Sequence, residues 1–300
     1  MTDNPFGRVL TAMVTPMRPD GSLDEPGIRS LVDHLLGSGH DGLVVNGTTG
    51  ESATLSSDES IQVLDIVVDQ VDGRAGVTMG VGSNDTAHAV AMAKRAEQAG
   101  ATGALLVTPY YNKPTQPGII AHTRAVADAT DLPVMLYDIP GRTAMPLATD
   151  TILALAEHPK VRAVKDAKSQ LWESTKIMAA TDLLWFSGND EENLIHLALG
   201  ATGVVSVVGH VAGKEYAAMV EAMDRGDLGT AREIHRRLIP LHEAMMMTSQ
   251  GAIMAKAALV ELGVIESAAV RLPLVESPPE HLERLRDGLR RSCLARSGAQ

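Results

Sequence analysis

Short apolar runs recur along this chain, and most of them are continuous rather than alternating. They fall at residues 9–14, 42–46, 76–81, 103–108, 133–138, 161–165, 183–187 and 203–208. A continuous run bounded by turn residues marks a strand covered on both faces, as in a parallel sheet. Between the runs lie stretches whose apolar positions repeat with helical spacing, at 24–36, 57–71, 85–98, 118–129, 148–157, 171–180 and 191–199. Ser56 and Glu59 have the spacing of a capping box at the start of the second of these. Gly100 and Gly200 stand where helix C-caps belong. Eight strand–helix units predict an α/β fold, a closed (β/α)8 TIM barrel. An open doubly wound sheet is the runner-up, because pattern alone does not fix strand order. After about Gly213 the pattern offers only helices, at 217–222, 228–246, 253–262 and 279–290. The expected organisation is a catalytic barrel over residues 1–225 and a C-terminal helical extension over 226–300, packed on the barrel.

Composition narrows the function. Three hundred residues suit one barrel of about 250 residues with an addition. The chain is 45% hydrophobic but only 3% aromatic, so its core is aliphatic and clustered tyrosines stand out. The net charge of -11 argues against nucleic acid and anionic membranes as partners. A small anionic substrate needs only local cations and stays open. The single cysteine, Cys293, permits no intrachain disulfide and no cysteine metal site. The ten histidines form no paired ligand spacing, so no metal site is expected. The opening residues Met1–Pro5 show no basic and apolar leader pattern, and no apolar run reaches the ~18 residues of a membrane span. A cytoplasmic protein is the expectation.

In barrels of this kind the chemistry lies in the loops that follow the strands. Lys165 closes the run at 161–165. A strand-end lysine loses hydration, which lowers its pKa, and the neutral amine is a nucleophile toward ketones. The chain has eight lysines against eighteen arginines, and the other seven lysines lie in polar contexts where a solvated charge is cheap. Taken alone, a strand-end lysine is more often one that snorkels or pairs with a carboxylate. The second strand is followed by Gly47-Thr48-Thr49-Gly50-Glu51, a loop suited to cradling a carboxylate, or an ordinary tight turn. Tyr110 and Tyr111 follow the fourth strand, Tyr137 ends the fifth, and Arg142 sits in a Pro-Gly-Arg loop beyond it. Tyr137 lies one strand from Lys165, in reach for proton transfer, or it is a core tyrosine. Arg142 offers a bidentate clamp for a carboxylate, or a solvated surface charge. Each bland reading is credible singly; all of them holding on one barrel face is not. Asp190-Glu191-Glu192 reads as a helix first turn, Met245-Met246-Met247 as packing, and Gly80-Val81-Gly82 as an incomplete dinucleotide fingerprint.

At these residues the chain resembles the dihydrodipicolinate synthase family of the class I, Schiff-base pyruvate aldolase superfamily. The likeness runs from about Thr11 to about Gly263. It rests on Gly47-Thr48-Thr49-Gly50-Glu51-Ser52, Val107-Thr108-Pro109-Tyr110-Tyr111-Asn112, Tyr137-Asp138-Ile139-Pro140-Gly141-Arg142-Thr143 and Val164-Lys165-Asp166-Ala167. The resemblance implies a homotetramer, a dimer of dimers, that condenses pyruvate with L-aspartate 4-semialdehyde on the diaminopimelate route to lysine, with no cofactor beyond the imine on Lys165. It implies that Tyr137 is the general acid/base and that Thr48 and Tyr111 complete a proton relay, Tyr111 reaching into a neighbouring subunit. Thr48 and Thr49 would hold the pyruvate carboxylate, Arg142 the semialdehyde carboxylate, and Gly188 and Val205 would line the pyruvate pocket. It also implies a partial allosteric lysine site at Ser52, Ala53, Asn84, His88 and Tyr110. Here His88 stands where lysine-inhibited members carry a glutamate, and Ser57 and Ser60 where they carry histidines, so weak or absent feedback is expected. The alternatives are a sister aldolase acting on N-acetylneuraminate or a keto-deoxy sugar acid, and a pyruvate-binding barrel without turnover.

Overall fold

The computed structural model describes residues 4–294. The expectations for Met1–Asp3 and for the last six residues of the extension lie outside the described residues. Eight strands are present: β1 (Val9–Ala12), β2 (Gly42–Val45), β3 (Gly76–Gly80), β4 (Gly103–Val107), β5 (Val134–Asp138), β6 (Val161–Asp166), β7 (Leu184–Ser187) and β8 (Gly203–Ser206). The helices around them are α1 (Glu25–Gly37), α2 (Ser57–Val71), α3 (Thr86–Gln98), α4 (Gln116–Asp128), α5 (Pro140–Thr143), α6 (Thr149–Ala156), α7 (Leu171–Ala180), α8 (Asn193–Ala198) and α9 (Gly209–Asp224). Three more complete the chain: α10 (Leu228–Met246), α11 (Gly251–Glu261) and α12 (Pro279–Arg291).

Every neighbouring pair of strands is parallel, and β1 also pairs with β8, so the sheet closes into a barrel and the open-sheet alternative falls. Closure leaves two apolar layers. The inner one is filled by inward residues such as Leu10, Val44, Leu105, Met135, Ala163, Phe186 and Val205, with Phe6 set edge-on to Phe186 at a centroid distance of 6.2 Å. The outer one lies between strands and helices and is almost entirely aliphatic. Ser56 caps α2 as the spacing predicts: its hydroxyl accepts from the Glu59 N–H at 3.1 Å, while Glu59 accepts from the Ser56 N–H at 2.8 Å. Gly100 and Gly200 close α3 and α8 with φ of +84° and +102°, a conformation that costs other residues steric strain. In the extension, Gly288 of α12 lies so close to α10 that a Cβ would come within 2.8 Å of Ala244 Cβ.

Three departures from the sequence pattern shape the face that carries the site. The apolar run at 203–208 leaves the ladder at Ser206, because the N–H groups of Val207 and Val208 go to the Asp190 carboxylate at 2.8 and 3.0 Å. Helix α9 accordingly starts at Gly209, with a break at Ala212, rather than at 217. The polar segment after β5 is not all loop: it makes the single-turn helix α5, which carries Arg142.

The expectation that the remaining lysines are solvated is wrong for two of them. Lys256, in α11, is fully buried, and the Lys168 side chain is 6% exposed. Each finds a carboxylate far from it in sequence, a compensation that no local pattern reveals.

Candidate active site

Strand register builds the centre of the site. Tyr137 on β5 pairs directly with Lys165 on β6, and Lys165 pairs with Phe186 on β7. Lys165 is two residues beyond inward-facing Ala163, so strand alternation points it into the barrel. Its Nζ lies 4.1 Å from the centroid of the Tyr137 ring. Both side chains are buried, at 4% and 6% exposure. Burial lowers the Lys165 pKa to about 8; the negative charge of Asp190 works against this and the positive charge of Arg142 adds to it. Burial also pushes the Tyr137 phenol up to about 12, against a smaller downward pull from Arg142. The pair therefore joins an amine that is partly neutral near physiological pH to a phenol that keeps its proton.

Beside Tyr137 opens a cavity of about 1000 Å³; Lys165 is not among the residues that line it. Thr48, Tyr110, Tyr111, Tyr137 and Arg142 line it, as do Ser52, Ala53 and His88. Three of the four tyrosines thus share one mouth, while Tyr216 is in the core. Thr49 is buried beside Thr48, and Val205 lies in the inner cluster with Tyr137. Gly188 is drawn in at the end of β7, its N–H bonded to the Asp166 carbonyl at 2.7 Å; a Cβ there would sit 2.9 Å from that oxygen. Asn84 does not line the cavity; its carbonyl accepts the Asn112 side chain at 2.9 Å. Of the two glycines that flank the threonines, only Gly50 is closely packed. A Cβ there would lie 3.1 Å from the Met13 carbonyl oxygen, whereas one on Gly47 would meet nothing nearer than Val44 at 3.9 Å. Tyr111 is 88% exposed in the single chain and holds a left-handed φ of 72°.

Behind the catalytic-face strand ends, alternation turns the next residues outward. Asp138 pairs in register with Asp166, and Lys168 meets both, Asp138 with its cation and Asp166 with its backbone N–H. Its Nζ is 3.5 Å from Asp138 Oδ2, and its backbone N–H donates to Asp166 Oδ1 at 2.9 Å. Burial raises the Asp138 carboxyl to about 6 even with that cation close by.

Asp190 opens a helical turn, as its segment predicts, but it has a role that sequence reasoning missed, and it is 2% exposed. Besides the two backbone N–H groups of the β8 end, its carboxylate accepts from Ser206, from Tyr216 at 3.0 Å and from Asn193 at 3.3 Å. Tyr216 is in turn 2.7 Å from His242 Nε2. The carboxylate ties β7 to β8 and supplies the negative charge that Lys165 feels. Two further acids after it make the segment look like ordinary helix-dipole chemistry, so no sequence signal separates Asp190 from Glu191.

Among the described residues, no group of three or more His, Cys, Asp or Glu is placed to hold a metal ion, and no helix is long and apolar enough to cross a membrane.

Known proteins match this geometry over nearly the whole chain. Residues 5–292 match the Dihydrodipicolinate synthetase family. The 4-hydroxy-tetrahydrodipicolinate synthase of Kineococcus radiotolerans is 52% identical, over 97% of this chain and 94% of its own. A dihydrodipicolinate synthase from Cyanidioschyzon merolae, solved with lysine bound, superposes with a TM-score of 0.94 at 40% identity, over 97% of this chain and 100% of the other. A solved protein described as a monomeric dihydrodipicolinate synthase variant superposes with a TM-score of 0.93 at 36% identity, over 97% of this chain and 98% of its own. With the closed barrel, the register-matched lysine and tyrosine, and these likenesses together, the chain belongs to the dihydrodipicolinate synthetase family.

Proposed function

We propose that this protein condenses pyruvate with L-aspartate 4-semialdehyde, through a Schiff base on Lys165, to give 4-hydroxy-tetrahydrodipicolinate on the diaminopimelate route to lysine. The observation that carries the reading is the Lys165–Tyr137 pair: adjacent in register, buried, with Lys165 Nζ 4.1 Å from the centroid of the Tyr137 ring and the lysine pKa lowered to about 8. In this reading the neutral Lys165 amine adds to the pyruvate ketone. Tyr137 gives a proton to the departing hydroxyl, water leaves, and the imine forms. Loss of a methyl proton then makes an enamine, whose carbon adds to the aldehyde; the semialdehyde's own amino group then attacks the imine carbon, closes the ring and releases the Lys165 amine. Thr48 and Tyr111 pass protons between Tyr137 and solvent. Thr48 and Thr49 hold the pyruvate carboxylate, Gly188 and Val205 shape its pocket, and Arg142, exposed at the cavity wall, meets the carboxylate of the semialdehyde.

No cofactor enters this chemistry. Tyr111 exposes most of its ring in the single chain, which supports a homotetramer in which it completes a neighbour's site. We read residues 1–225 as the catalytic barrel and 226–300 as the extension packed on it, in a cytoplasmic enzyme. Ser52, Ala53, Asn84, His88 and Tyr110 form a partial lysine site of little effect, because His88 offers the effector's ammonium no anion.

The test is turnover of purified protein with both substrates, combined with borohydride reduction in the presence of pyruvate and mass mapping. A reduced pyruvyl adduct on Lys165 alone is expected. An adduct on Lys168, or none, overturns the assignment. Cleavage of N-acetylneuraminate or a keto-deoxy sugar acid would favour a sister aldolase; trapping without turnover would favour a binding barrel.

A further inference from the structure

Two non-glycine residues of the loop between β2 and α2 hold left-handed backbone: Asn46 at φ 55° and Glu51 at φ 57°. Such conformations persist only where the surroundings impose them. Three fastenings do so. Asn46 Nδ2 donates to the Ser60 carbonyl at 2.7 Å, and Thr15 Oγ1 donates to the Gly50 carbonyl at 2.8 Å. The third comes from the C-terminal extension, 205 residues downstream: Lys256 Nζ donates to Glu51 Oε1 at 2.5 Å. The second Glu51 oxygen accepts the Arg271 N–H at 2.9 Å. Lys256 also donates to the Ala269 carbonyl at 2.7 Å, and the side chains of the pair are 0% and 2% exposed.

Stability alone does not call for charges here. Removing two ions from water costs about as much as their attraction returns, and apolar residues of similar volume usually serve a core as well or better. What a buried pair does supply is one definite conformation for the backbone it grips. The Glu51 N–H donates to the Thr48 carbonyl at 3.1 Å, so the grip reaches Thr48 through one side chain and one backbone bond.

We propose that Lys256 is a positioning residue that sets the Thr48–Thr49 loop through Glu51, which makes the helical extension part of the apparatus that recognises the substrate carboxylate. The inference rests on the reading in which those threonines hold pyruvate. Without the ammonium, the Glu51 carboxylate is left buried opposite a single N–H. It has an exit, because Glu51 borders the active-site cavity. Its departure would carry the left-handed residue with it and shift Thr48. A displacement of about 1 Å in a substrate-holding group can cost ~100-fold in rate.

The experiment compares wild type, Lys256→Met, Glu51→Gln and the double variant. Competent sites are counted by borohydride trapping of pyruvate, so that misfolded protein drops out. Per competent site, Lys256→Met should lose about 100-fold in kcat/KM for pyruvate with KM clearly raised. The double variant should be no worse than Lys256→Met alone, because both changes break one path. Amide hydrogen exchange should quicken in peptides spanning residues 46–55 and stay unchanged at the β7 end around 187–190. Unchanged kinetics per site with only a lower melting temperature overturns the proposal, as does exchange that rises across the whole barrel. If Lys256→Met fails to fold, the near-isosteric Glu51→Gln carries the same measurements. If wild type neither traps pyruvate nor turns over, the pyruvate reading fails, and the exchange comparison still decides whether Lys256 positions the loop.

Discussion

The pH at which Lys165 becomes a nucleophile is set by its burial. An ordinary lysine, near 10.5, is roughly 0.03% neutral at pH 7; one at about 8 is roughly 10% neutral, a gain of about 300-fold. The same shift corresponds to about 3 kcal/mol of lost ammonium solvation. The perturbation is pH itself, from 6 to 10. The assay is the initial rate of cyanoborohydride-trapped pyruvyl adduct on Lys165, read by mass at each pH. The rate should climb tenfold per unit at low pH, bend near 8 and level off. Asp190→Asn sharpens the test: that carboxylate holds the lysine pKa up, so its removal should move the bend below 8. Linkage gives a second sign. The folded pKa lies below the unfolded one, so the unfolded chain binds more protons between about 8 and 10.5. This lysine therefore destabilises the fold progressively as pH falls through that window. A trapping rate that keeps rising to pH 10 without a bend would show an ordinary, hydrated amine and refute the burial argument.

Further outcomes are expected. Arg142→Ala should raise the KM for aspartate semialdehyde about 10- to 100-fold, as loss of a charge-assisted contact worth roughly 1.5–3 kcal/mol requires, and leave imine formation with pyruvate largely intact; unchanged semialdehyde kinetics would place carboxylate recognition elsewhere. His40 and His210 are both buried with pKa lowered to about 4, chiefly by desolvation. Their contribution is fully present above about 6.5 and is lost as pH falls toward 4, so the urea midpoint at pH 5 should reflect a loss of roughly 2 kcal/mol per histidine relative to pH 7.5. An unfolding midpoint that does not move between those pH values would contradict it. Millimolar L-lysine at saturating pyruvate should inhibit weakly or not at all; strong inhibition would mean that another group replaces the carboxylate missing at His88.

The sequence alone determined the eight strand–helix units and most of the active face. Continuous apolar runs such as 103–108 and 161–165 can be satisfied only by parallel strands covered on both sides, and their regular alternation with amphipathic stretches leaves few topologies. The residues at and just beyond the ends of those runs already gathered Thr48, Tyr111, Tyr137, Arg142 and Lys165, because in this fold the end of a strand is a place in space as well as in sequence. What pattern could not carry is whatever depends on partners far along the chain. Closure of β1 on β8 needs a register, and register is a tertiary property. Lys256 lies in a helix whose residues 251–259 are all buried; the apolar residues around it signal that burial, but nothing beside it in sequence points to Glu51, 205 residues away, as its partner. Asp190 resembles its acidic neighbours until folding brings Ser206, Asn193, Tyr216 and the β8 end around it. A buried charge is stable only when specific donors or counter-charges surround it, and those are assembled by the fold rather than by adjacent residues.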